Sequence, residues 1–138
     1  MSSKEKFDWC DYYYLGKSYS NETNLAKLRT GINRFYYGCF LKSRDYLLDN
    51  NIFLNKDSKK IMKSESPKIH EETRKIFKNH PQLNVSNKGK KIAEELNKLR
   101  DYRNQVDYDA ENPKNLKFAY SYCKSRAKII FKLLDELN

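Results

Sequence analysis

Chemistry-bearing side chains are densest in LRDYRNQVDYD, residues 99–109, where Arg100, Arg103 and Asp107 stand three and four positions apart. On a helix those spacings put all three on one face. Such a face is either an internal polar lock between helices or the floor of a site for an anionic ligand. Ile92, Leu96, Leu99, Arg103 and Val106 also share a face, so the Arg103 guanidinium continues an apolar stripe and needs a partner or a cavity. His70 supplies a proton-transfer group. With Arg103 it could move a proton at an RNA 2′-hydroxyl or leaving oxygen while the arginine holds the phosphate, Tyr108 standing nearby. The plainer alternative pairs Arg103 with Asp107 structurally and lets His70 cap or pack.

Other chemistries find little footing. The histidines are His70 and His80, and neither belongs to a spaced Cys/His cluster, so no metal site is expected. No glycine-rich loop leads from a strand into a helix, and no cofactor is expected. No hydroxyl nucleophile has an obvious His/Asp apparatus.

Lys and Arg number 28 against 18 Asp and Glu, a formal net charge of +10. That balance favours polyanions, nucleic acid first, with an anionic protein or membrane surface behind it. The cluster Lys56, Lys59, Lys60 and Lys63 offers phosphate contacts, or simply a solvated face. Tyr12, Tyr13, Tyr14 and Tyr19 beside Lys17 could stack on unpaired bases; the alternative is that they line a core or a dimer interface. No apolar run is long enough to span a bilayer, and MSSKEKFDWC lacks the apolar core of a secretion signal. Cys10, Cys39 and Cys123 are odd in number with no C-x-x-C spacing, which fits reduced thiols in a cytoplasmic protein.

The elements that must position these groups are helical. With 138 residues, 11 Tyr and 7 Phe, the chain reads as one domain over 1–138 with ample material for a core. A short apolar stripe covers about 5–17, and SYSNETN reads as a loop whose Ser20 or Thr23 caps the next helix. Leu25, Leu28, Ile32, Phe35, Tyr36, Cys39, Phe40 and Leu47 then recur at three and four, a buried helix face ending near Asp49. Gly31 and Gly38 inside it point to close helix–helix approach. Residues 50–65 read as a basic connection. Ser66-Pro67 signals a helix start, carrying Ile69, Thr73, Ile76 and Phe77. Ser86 or Asn87 opens the next helix, and Asn112-Pro113 the last, which carries Leu116 through Leu137. About five helices result.

INRFYYGCFLKSRDYLL, residues 32–48, resembles the second-helix signature of HEPN domains (higher eukaryotes and prokaryotes nucleotide-binding), with Arg34, Tyr36, Tyr37, Gly38, Cys39, Phe40 and Arg44 in the signature places. SPKIHEETRKIF, residues 66–77, looks like the family's middle segment with His70 as its histidine. LRDYRNQVDYD resembles the arginine-x-x-alanine-aspartate-tyrosine variant of the last motif, with Arg103, Val106, Asp107 and Tyr108 in those positions. The likeness runs from about residue 8 to 134.

The resemblance implies an all-α, up-and-down bundle of four to five helices, dimeric in many relatives. Catalytic relatives are metal-independent RNases of toxin–antitoxin, CRISPR-associated and other phage-defence systems, with an arginine, four to six residues, then a histidine. Here Tyr108 stands at the fifth position after Arg103, and no histidine follows. The leading expectation is therefore a HEPN-like homodimer in a prokaryotic or viral defence module that binds protein, and RNA or nucleotide, without the usual nuclease site. A small nucleotidyltransferase is one partner the resemblance suggests. The alternative is an RNase with a displaced site built on Arg103 and His70. An ionised Asp107 would repel phosphate while it holds Arg103, which suits architecture.

Overall fold

The computed structural model describes residues 6–112 and 115–137. Six α-helices form the bundle among them: α1 (Cys10–Lys17), α2 (Leu25–Asp49), α3 (Lys56–Met62), α4 (Ile69–Asn79), α5 (Lys88–Tyr108) and α6 (Leu116–Glu136). A single 3-10 turn at Pro81–Leu83 joins α4 to α5. No strand occurs among the described residues. The all-α bundle is as the periodicity implies, with one helix more than the four to five expected. The extra element is α3, inside the stretch read as a plain connection. Asn55 starts it by accepting from the Ser58 amide at 2.8 Å, and Met62 and Ser58 are buried.

Asparagines set several helix starts. Asn24, rather than Ser20 or Thr23, caps α2 by accepting from Lys27 N. Asn115 caps α6, so that helix begins after the Asn112-Pro113 signal, whose Pro113 lies outside the described residues. Ser66-Pro67 makes a turn in which Ser66 Oγ accepts from Lys68 N, and α4 itself begins two residues beyond the proline. Between α4 and α5 the Asn84 amide donates to the Phe77 and His80 carbonyls, both at 2.9 Å, while its oxygen accepts from Lys90 N at 2.8 Å. That one side chain satisfies groups at both helix ends, while Asn87 opens α5 as expected but makes no side-chain cap.

Helix α2 is central and packs on α1, α4, α5 and α6. Tyr37 meets Arg103 and Asn33 meets Asp107, so α5 runs antiparallel to it. Tyr36 and Phe40 meet His70, and Tyr46 meets Phe77, so α4 runs parallel to α2. Strict up-and-down order breaks at this point. The segment 50–68, with α3, carries the chain back so that α4 lies alongside α2, which brings His70 to Tyr36.

Close approach accounts for both glycines of α2. A Cβ on Gly31 would sit 2.6 Å from Tyr120 Cε2 of α6, and one on Gly38 3.0 Å from the Trp9 carbonyl of α1. Glu95, with no exposed surface, ties α5 to α6: its Oε1 lies 3.1 Å from Lys91, 3.3 Å from Lys98 and 3.5 Å from Arg126. Cys39 and Cys123 are buried free thiols and Cys10 is a half-buried one. No helix among the described residues is long and apolar enough to cross a membrane.

Candidate functional site

Three helices meet around a phenol and an imidazole. Tyr36 of α2 is 1% exposed, and its hydroxyl lies 2.6 Å from His70 Nδ1 of α4. Phe40, one turn along α2, stacks on the His70 ring at a centroid distance of 4.0 Å and 12° between planes. Burial pushes the Tyr36 phenol up to about 12, with nearby Arg74, Arg103 and Arg100 pulling the other way. The phenol is therefore protonated near neutral pH. Its hydroxyl has no other partner among the described residues, and the direction of its one hydrogen bond with Nδ1 follows the imidazole tautomer.

His70 is held down to about 4, first by burial and then by Arg103, Arg74 and Arg100. Such a ring is neutral at pH 7, and its Nδ1 is engaged by the Tyr36 hydroxyl. This arrangement suits binding an anion better than taking a proton. A bound phosphate favours the protonated imidazole. In an NMR titration the His70 ring should titrate near 4 in the free protein and markedly higher with phosphate present. An unchanged midpoint at saturating phosphate would mean the anion sits elsewhere.

The arginines divide into one that is committed and two that are not. Arg103 is 9% exposed. It donates from Nη2 to the Tyr37 hydroxyl and from Nη1 to Asn104 Oδ1 at 2.6 Å. Its Nε lies 3.5 Å from Asp107 Oδ2 without a well-aligned hydrogen bond, and that oxygen accepts from Asn33 Nδ2 at 2.8 Å. Rings of Tyr37, Tyr36 and Tyr108 surround its Cζ at 5.0, 5.4 and 5.7 Å. Arg103 is thus the internal lock, held mainly by α2 tyrosine and its own neighbour. Arg100 stands outside that lock.

Neither Arg74 nor Arg100 forms a side-chain hydrogen bond or ion pair among the described residues. Arg74 Nη1 is buried without a partner. Burial and the like charge of Arg100 lower the Arg74 pKa, while Tyr36, Glu71 and Asp101 oppose them. Two half-buried cations thus lie close enough to bias the Tyr36–His70 pair yet have donors to spare. Sequence reasoning passed over Arg74. The available signal was its spacing of four from His70 on one helix.

The remaining candidates are spread around the bundle. Arg34 donates to Asn33 Oδ1 and lies 4.4 Å from the Tyr12 ring centroid. Arg44 pairs with Asp45 at 2.8 Å. Tyr108 is 79% exposed beside Arg103. Tyr13 packs between Phe35 and Phe131, a core role, while Tyr14 is exposed. Tyr19 packs against the core. Lys17 lines a groove between α1 and α6. Lys56, Lys59, Lys60 and Lys63 are exposed on and just after α3, and no hydrogen bond or ion pair among the described residues links them to the arginine cluster. No three His, Cys, Asp or Glu side chains among the described residues converge to hold a metal ion. No protein-family model, curated protein or solved structure matches this chain.

Proposed function

We propose that this chain is a HEPN-like RNA-binding component of a prokaryotic or viral defence module, taking an RNA phosphate at Arg74 and Arg100 beside His70. The observation that carries this reading is the half-buried Arg74, whose Nη1 has no hydrogen-bond partner among the described residues, with Arg100 close enough to act on it and on His70. Charged donors of that kind are strong phosphate ligands. Supporting it, the three segments that carry the family resemblance are the ones that supply Tyr36 and Tyr37, His70 and Arg74, and Arg100 and Arg103. A homodimer, and a nucleotidyltransferase-type or other defence-module protein as partner, belong to the same proposal.

A second reading, metal-independent RNA cleavage by a displaced site, draws on the closeness of His70 to Arg103 across the Tyr36 ring. It has to free the Nδ1 that the Tyr36 hydroxyl engages. Binding of labelled single-stranded RNA, measured across a salt series in chelator with the products examined, separates the two. Binding alone should weaken steeply as salt rises, because phosphate contacts release counterions. Salt-independent binding overturns the phosphate site. Cleavage that disappears in His70→Gln favours the nuclease.

A further inference from the structure

Between α4 and α5 a groove of about 440 Å³ opens directly beside Arg74. Arg74, Lys75 and Lys78 line it from α4 and Lys90 from α5, with Glu71 and Glu94 as the acids among them. Gly89 lies against the Phe77 carbonyl, so the two helices run antiparallel. Lys90 and Lys78 therefore stand at the far end from His70, and Arg100 at the near end, one turn past Asn97 of the same wall. We propose that this groove is a phosphate track that continues the site, holding the sugar-phosphate backbone of a single RNA strand from Arg100 and Arg74 out to Lys78 and Lys90.

The proposal rests on the phosphate reading of the arginine cluster and adds the path the strand takes away from it. From Asn97 to Lys90 the α5 wall is about 10 Å long at 1.5 Å per helical residue, with Arg100 one turn beyond it. That length takes roughly two to three phosphates, since neighbouring phosphates of a strand stand farther apart than the ~3.4 Å axial rise per nucleotide. Arg74 is the join, because it lines the groove and also biases His70 and Tyr36. Its Nη1 is buried with no acceptor among the described residues, so the guanidinium is not committed to a partner inside the bundle. The basic side chains carry the track past Glu71 and Glu94 by outnumbering them.

Lys78 and Lys90 are both exposed, so the pair Lys78→Gln and Lys90→Gln tests the track without disturbing the core. Two probes are needed, an RNA dinucleotide and a longer single-stranded RNA, with polyglutamate as competitor. The double variant should bind the longer RNA about tenfold more weakly, with a salt slope shallower by roughly 1.4, and the dinucleotide as before. Unchanged affinity and slope for the longer RNA overturn the track and leave the arginine site standing. Failure of both probes to bind the unaltered protein overturns track and site together. Polyglutamate displacing the longer RNA at equal charge concentration overturns the track in favour of an acidic protein ligand.

Discussion

Replacing Arg74 and Arg100 together by glutamine should lower RNA affinity about a hundredfold at low salt and leave the fold intact. A hydrogen bond to a charged group contributes roughly 1.5–3 kcal/mol, so removing two such bonds costs about 3 kcal/mol, or two decades. Folding stability should be unchanged or slightly higher. These guanidinium groups form no ion pair among the described residues, Glu71 and Asp101 acting on Arg74 only at longer range, and burial followed by the like charge of Arg100 lowers the Arg74 pKa. Arg103→Gln is the opposite case. It strands the Tyr37 hydroxyl and the Asn104 amide in a nearly closed pocket, and it should cost about 2 kcal/mol of stability. Fluorescence anisotropy and thermal melts on both variants check the contrast. RNA affinity kept within threefold in the double variant would remove these two arginines from the site.

The same electrostatics gives a pH signature. With its folded pKa at about 4, below the ordinary value of 6.5, His70 binds its proton more readily in the unfolded chain. Its contribution to stability is present above pH 6.5 and is lost as pH falls toward 4. Burial is the first cause of the shift and the arginines follow. Removing Arg74 and Arg100 therefore raises the His70 pKa only part of the way.

The bundle was readable because apolar stripes at helical spacing left few alternatives for α2, α5 and α6. Arg103 was readable for the same reason, since it interrupts the stripe Ile92, Leu96, Leu99, Val106, every member of which is buried. Helix α3 was not, because seven residues with Ser58 and Met62 as the buried pair produce no stripe. Nor does residue type choose among neighbouring caps. SYSNETN holds several residues able to accept an amide, and the backbone of Asn24 decides. Arg74 was invisible for a topological reason. In HEETRKIFKN it reads as one more charge on a solvated helix, and it becomes special when α4 lies parallel to α2 and brings it to Arg100 and Tyr36.

That juxtaposition depends on how closely α4 and α5 approach, which makes Gly89→Ala the most damaging small substitution in the hairpin. A Cβ there would sit 2.3 Å from the Phe77 carbonyl oxygen, 2.9 Å from Leu83 Cβ and 3.0 Å from Asn84 Nδ2. The first neighbour is backbone, fixed at the end of α4, and the Asn84 amide that ties this end together already donates to that same carbonyl. Relief requires the helices to part, which breaks the Asn84 clamp. Overpacking of this sort costs about 3 kcal/mol, more than the roughly 1 kcal/mol that alanine gains over glycine in a helix, and a melting temperature lower by several degrees should follow. Gly38→Ala is the control. Its closest contacts, 3.0 Å to the Trp9 carbonyl and 3.2 Å to Tyr12 Cβ, are looser, so the strain and the propensity gain should nearly cancel. Because Gly89 sets the spacing of the walls that carry Arg74 and Arg100, its variant should also bind RNA more weakly at temperatures where it is fully folded. A Gly89→Ala protein as stable as Gly38→Ala would mean that the hairpin has slack, and that Arg74 owes its place to packing against α2 instead.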